Sequence, residues 1–209
     1  FRINNQEYDS NLECFLIAPM TKQSEELECV LSKNHSSVII NFSIASNNHS
    51  DKCRFLSGGD AEVEIWEMIW DKYRSTPEVL AYNILQTPHH CSWRTLSHDS
   101  WSGKGESAKE SADAVNALSQ ARKGAAIVAS SKLIQDEDSD PPCIRAKRTY
   151  TRIVQQLSVS GKFYCTGEYP KSTNVKPLVF EIDNVGVRVA NKAVIGAASI
   201  AASPNLRAG

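Results

Sequence analysis

Long apolar runs are missing from this chain. A helix that spans a bilayer needs about 18 or more consecutive apolar residues, so no segment of the chain reads as a membrane span. Charge of one sign is missing too: 23 Lys and Arg stand against 24 Asp and Glu, a formal net charge of −1. No global basic field therefore advertises nucleic acid or an anionic membrane. The six cysteines, Cys14, Cys29, Cys53, Cys91, Cys143 and Cys165, include no CxxC pair. Scattered in a chain of 209 residues, they read as free thiols in a reducing compartment, and the expectation is a cytoplasmic protein. No internal repeat and no Pro/Gly-rich linker divides the chain, and no signal peptide is visible. The first residue is Phe1, from which a processed, truncated or partial chain is expected.

What is present is ordinary globular composition, 41% apolar and 22% charged. A chain of this size buries about 70% of its unfolded surface. Leu12 to Ala18 reads as a strand stopped by Pro19, and residues 20–35 as a polar loop with a helical turn. Ser37 to Ala45 alternates around Val38, Ile40, Phe42 and Ile44, the period of a half-buried strand. The turn chemistry of residues 47–51 then leads into a strand at Cys53 to Leu56. Ala61 to Tyr73 is predicted helical, because Trp66, Ile69, Trp70 and Tyr73 follow helical spacing. Further expectations are a strand over Val79 to Leu85, a helix over Glu106 to Arg122 ended by Lys123-Gly124, and a buried strand over Ala125 to Ala129. An acidic loop follows at 135–142, then a helix over Ile144 to Leu157. Three closing strands are expected at Phe163 to Cys165, Leu178 to Ile182 and Val185 to Val189. Strands alternating with helices predict an α/β layered fold over 1–190, with a small-residue-rich tail over 191–209 that is disordered or docks elsewhere.

Two short strings carry the candidate chemistry. Gly58-Gly59 lets the backbone bend sharply and brings the Asp60 carboxylate to a strand end. Asp60 can equally cap the following helix, and the same oxygens do not freely do both. About thirty residues on, His89-His90 closes a strand after Pro88. On an extended segment adjacent histidines point to opposite sides, so one at most faces a given metal. The other could hold a substrate oxygen or a carboxylate behind the ligand. Arg145, Arg148 and Arg152, with Lys147, form either a phosphate-facing stripe or a solvated helix face. The acids Asp136, Glu137, Asp138 and Asp140 lack EF-hand order and read as a solvated loop. Trp66 and Trp70 read as core, and His98-Asp99 is a further ligand pair without supporting context.

Gly58-Gly59-Asp60-Ala61-Glu62, then about 25 residues of helix and strand, then Pro88-His89-His90-Cys91-Ser92, resembles the second half of a metallo-β-lactamase-fold hydrolase. Its nearest branch is the hydrolase domain of DNA-uptake competence proteins. Asn34 to Val38, Ala125 to Ser130 and Phe163 to Gly167 resemble flanking segments of that branch, so the likeness spreads over residues ~12–190. The resemblance implies the second half of a layered αββα sandwich with its closing elements, and a metal-dependent phosphodiesterase or nuclease. It implies two divalent ions, Zn²⁺ or Mn²⁺, bridged by Asp60 and held by one of His89 and His90, with the neighbouring histidine and Ser92 facing the scissile phosphate.

Three departures stand against it. The first-half signature His-x-His-x-Asp-His is absent from a chain whose histidines are His35, His49, His89, His90 and His98. Cys91 replaces a glycine, and Asp140 replaces the histidine of a His-Pro pair. The metal ligands are thus incomplete, and the implied partner is the upstream half of the same domain, on this or a separate chain. A non-catalytic binding or scaffolding module of the same fold, and a thioester or lactone hydrolase, are the alternative readings.

Overall fold

The computed structural model describes residues 2–3, 6–7, 12–19, 36–46, 49–137 and 139–190. Six strands form its main sheet: β1 Leu12–Ala18, β2 Ile39–Ser46, β3 His49–Ser57, β4 Tyr82–Gln86, β5 Ala121–Ala129 and β6 Lys162–Cys165. They neighbour one another in chain order. The pairs β1–β2 and β2–β3 are antiparallel, and β3 through β6 run parallel. Parallel neighbours need a crossover, and each contains a helix: α1 Val63–Tyr73, α2 Ala112–Leu118 and α3 Ile144–Val154. The chain is therefore a mixed α/β fold, a six-stranded sheet flanked by helices.

Register explains why the central strands read as nearly unbroken apolar runs. Leu56, Leu85 and Ile127 are partners across β3, β4 and β5, so they share one face. All three are fully buried, with Trp66 and Ile69 of α1, Leu118 of α2 and Tyr150 of α3 in the same core. Burying a side chain of this size contributes about 1.5–3 kcal/mol. The preceding residues, Phe55, Ile84 and Ala126, form the matching row on the other face. There Phe42 stacks on Phe55 with ring centroids 5.8 Å apart, and Ile84 and Ala126 are buried.

Several expected boundaries move. The first residues of the expected strand 79–85 instead form a 3-10 turn, Pro77–Leu80, with Pro77 at its start. The expected helix 106–122 shrinks to α2 because the Ser111 hydroxyl caps it, accepting from the Ala114 N–H at 3.2 Å. At its other end Ala121 is already paired with Tyr82, and Lys123-Gly124 lies inside β5 rather than ending a helix. There sheet pairing overrides the propensity of an Ala-rich stretch. α3 stops at Val154, leaving Leu157 exposed. Of the three expected closing strands, β6 joins the main sheet. The others form a separate antiparallel hairpin, β7 Phe180–Ile182 with β8 Val187–Val189. The expected loop over 20–35 and the tail over 191–209 lie outside the described residues. Among the described residues no helix is long and apolar enough to cross a membrane, and Cys14, Cys53, Cys91, Cys143 and Cys165 are free thiols.

An ion cluster ties the amino-terminal ends of the parallel strands. Asp51 of β3 accepts from Arg54 Nε at 2.8 Å and from Arg122 of β5 at 2.7 Å. Between them, Asn83 of β4 accepts the Arg54 backbone N–H at 2.9 Å. Partial burial pushes the Asp51 carboxyl up, but hydrogen bonds from Arg122 and Arg54 outweigh it and hold the group below its ordinary value. A carboxyl depressed in the folded state stabilises the fold above its unfolded pKa, and that contribution is lost as pH falls through the folded pKa. Asp51→Asn should therefore lower urea-unfolding stability at neutral pH by roughly 0.2–1 kcal/mol. Repeating the titration at a pH low enough to protonate the folded-state carboxyl as well should bring native and variant chains together. A deficit unchanged at that pH would assign the loss to something other than the charge.

Candidate functional site

Ser57, Gln86 and Val128 are partners across β3, β4 and β5, so three parallel strands end at one level. In open α/β sheets the crevice beyond these carboxyl ends is where ligands bind. From it emerge the Gly58-Gly59-Asp60 turn, the Thr87 to Cys91 turn and Ser130.

Both glycines are dictated by contact. A Cβ on Gly58 would lie 2.5 Å from Pro88 Cγ, so the two turns touch where no side chain fits. Gly59 has φ +52°, and its Cβ would lie 2.8 Å from the Val38 carbonyl oxygen. The bend sends Asp60 outward with its side chain about half exposed. Glu62, not Asp60, is the N-cap residue of α1. The helix does not claim the Asp60 carboxylate, and the capping role open in the sequence is not the one this aspartate takes.

The histidines do not lie on an extended segment, as their adjacency after a strand suggested. Pro88–His90 is a 3-10 turn, and His89, His90 and Cys91 have φ of 46°, 55° and 71°. Three consecutive non-glycine residues in the left-handed region cost roughly 1–2 kcal/mol each. The turn is held at several points. His89 N–H donates to Gly59 O at 2.8 Å, Cys91 N–H to Pro88 O at 3.1 Å, and Cys143 N–H to Cys91 O at 3.0 Å. Such over-determined strain is characteristic of functional sites.

Each histidine meets an acid. His90 Nδ1 lies 2.8 Å from the Ser130 carbonyl oxygen. A carbonyl only accepts, so Nδ1 carries a proton and Nε2 points outward. That nitrogen faces Asp60 Oδ1 at 3.9 Å. A lone pair and a carboxylate facing each other repel unless a proton or a cation stands between them. His89 Nδ1 lies 3.9 Å from Glu62 Oε1 and is buried without a hydrogen-bond partner. Glu62 was not singled out in the sequence; its place two residues after Asp60 was the available signal.

Ser92 is fully buried, and its hydroxyl accepts the Arg94 N–H at 3.1 Å as the cap of the next turn. The Cys91 thiol is also buried. Burial, with Cys143, Cys165 and Asp140 nearby, pushes it well above its ordinary value, so it stays a neutral thiol. Asp140 accepts the Trp93 N–H at 2.9 Å. His98 lies between Glu67 at 3.0 Å and Glu64 at 3.5 Å, while its sequence neighbour Asp99 pairs with Lys104 at 2.6 Å. Trp66 is core, and Trp70 packs against that core.

The basic stripe of α3 is neutralised where it stands. Lys147 pairs with Glu168 at 2.7 Å, Arg148 with Asp136 at 3.3 Å and Arg152 with Glu110 at 2.5 Å. Arg145 lies within 5 Å of the ring centroids of both Trp93 and Trp101, donating to the Gly105 and Ala108 carbonyls. In the acidic loop Asp136 is taken by Arg148 and Glu137 by Lys132, while Asp138 lies outside the described residues.

For a divalent ion the fit is partial. Asp60 and His90 converge with suitable donor atoms, and the proton on Nδ1 leaves Nε2 free to ligate. No group of three or more His, Cys, Asp or Glu suited to a metal forms among the described residues, and three protein ligands or more are the rule for such sites. The residues present do not make a complete centre. His35 and the side chain of His49 lie outside what the structure describes.

Comparison of the chain with protein-family models, with curated proteins and with solved structures found no match.

Gly58→Ala should force the Asp60 turn and the histidine turn apart. The expected cost is about 1–3 kcal/mol in denaturant unfolding, with displaced His89 and His90 imidazole signals in NMR spectra. Unchanged imidazole signals would refute the coupling of the two turns through this contact.

Proposed function

We propose that this chain is the carboxyl-terminal part of a metal-dependent hydrolase acting on phosphodiester bonds, of the metallo-β-lactamase type. One observation carries this reading: a carboxylate and an imidazole from different turns face each other at 3.9 Å across the ends of parallel strands, with the far ring nitrogen anchored. Asp60 and His90 are the residues it assigns to the metal centre. The remaining ligands belong to a segment outside the described residues. His89 and Glu62, behind them, hold the turn and form a second imidazole–carboxylate pair. The three-residue left-handed turn supports the reading because it is strain spent on presenting His90 rather than on packing.

The test begins with elemental analysis of the protein purified together with its upstream segment. One or two divalent ions per chain are expected, and Asp60→Ala and His90→Ala should each weaken metal retention by about tenfold or more. Hydrolysis of bis(4-nitrophenyl) phosphate should fall in both variants, whereas preference for a thioester or lactone would select the alternative chemistry. A metal-free native protein would overturn the metal centre and leave the binding or scaffolding module as the reading.

A further inference from the structure

Just past the end of the sheet, one peptide unit carries two hydrogen bonds in opposite directions. The ladder between β5 and β6 ends at Ala129 and Cys165, and the Thr166 N–H donates to the Ala129 carbonyl at 3.0 Å. Ser130 and Ser131 follow outside that ladder. The Ser130 carbonyl accepts the His90 Nδ1–H at 2.8 Å. The N–H of the same peptide unit, that of Ser131, donates to Thr166 Oγ1 at 3.2 Å. The Thr166 hydroxyl in turn donates to the Ser131 carbonyl at 3.2 Å, which leaves an oxygen lone pair for the Ser131 N–H.

A trans peptide unit is planar, and its C=O and N–H point in opposite directions. Fixing the N–H therefore aims the carbonyl. Thr166 holds one edge of the plane, and the other edge meets the imidazole. That far bond needs the help. Ser130 is exposed and the His90 ring is about half exposed, so water competes for both groups and the net gain from one hydrogen bond is small. A plane already held costs no further ordering, and an N–H engaged as a donor makes its own carbonyl the better acceptor. Thr166 is itself restrained, because its backbone is tied to Ala129 and the neighbouring Cys165 thiol donates to the Lys132 carbonyl at 3.2 Å.

We propose that Thr166 is a positioning residue for His90. Its hydroxyl sets the Ser130–Ser131 plane, the Ser130 carbonyl sets the imidazole, and Nε2 is kept toward Asp60, 3.9 Å away. That this serves a metal ligand rests on the hydrolase reading; the positioning itself does not.

The test is ring-nitrogen NMR of the isotope-labelled full chain, under alkaline conditions in which imidazoles are neutral. His90→Ala assigns the His90 signals. The native chain should carry the His90 proton on Nδ1. Thr166→Val keeps the side-chain shape without the hydroxyl, and its His90 signals should move toward the averaged positions of an unrestrained imidazole. Thr166→Ala should reproduce that shift, so the result does not hang on the folding of one variant. Thr166→Ser restores the hydroxyl and should restore the native pattern. His98, held between Glu64 and Glu67, reports on the fold elsewhere and should keep its signals throughout. A native His90 with its proton on Nε2, native His90 signals in the valine and alanine variants, or a serine variant that behaves like them would each overturn the proposal. Metal content is measured on the same variants with the upstream segment present. A metal-free native protein whose His90 follows the Thr166 hydroxyl would remove the hydrolase reading alone. A metal-loaded one whose His90 ignores that hydroxyl would remove the positioning alone.

Discussion

Parallel pairing of β3, β4 and β5 in one register leaves three strands ending together, and the chain must turn within a few residues of each end to reach its next helix. The crowding this creates governs the rest of the site. Two turns meet at Gly58 and Pro88 with no room for a Cβ. The His89 N–H is then drawn onto the Gly59 carbonyl, and His89, His90 and Cys91 follow in left-handed conformation. The third strand end supplies the Ser130 carbonyl that orients the His90 ring. Position and ring orientation of His90 thus both descend from strand register.

The two ends of the sheet use charge in different ways. At the amino-terminal ends, Asp51, Arg54 and Arg122 satisfy one another and staple β3 to β5 across β4. At the carboxyl ends, imidazoles and carboxylates stand 3.9 Å apart, too far for hydrogen bonds, and Arg94 has no counter-charge among the described residues. The helix α3 illustrates the distinction, because a row that looks basic in sequence is spent on Glu168, Asp136, Glu110 and two indoles.

Much of the layered order was legible from residue spacing. Trp66 and Ile69 of α1 are buried where helical periodicity put them, and Leu12 to Ala18 is a strand with the expected bounds. Boundaries failed where a single tertiary contact decided them. The Ser111 cap and the Tyr82–Ala121 pairing cut the expected helix to seven residues. The roles of Asp60 and Ser92 turned on local geometry of the same kind: Glu62, not Asp60, stands at the N-cap position of α1, with no cap hydrogen bond from its side chain, and Ser92 became a buried turn cap. The histidine pair was visible, but its conformation was not, because left-handed backbone at three non-glycine residues contradicts local preference and exists only under outside restraint.

The sequence by itself determined the alternation of strands and helices, the apolar rows of the core and the residues able to bind a ligand. Each follows from side-chain chemistry and short-range periodicity, which are properties of neighbours along the chain. Only the tertiary structure decided that His90 rather than His89 faces Asp60, that Glu62 lies behind them, that the α3 cations are spent and that Arg94 is not. Those outcomes depend on which groups meet across 12 to 52 residues of chain, and a long-range contact leaves no period in the sequence from which to read it.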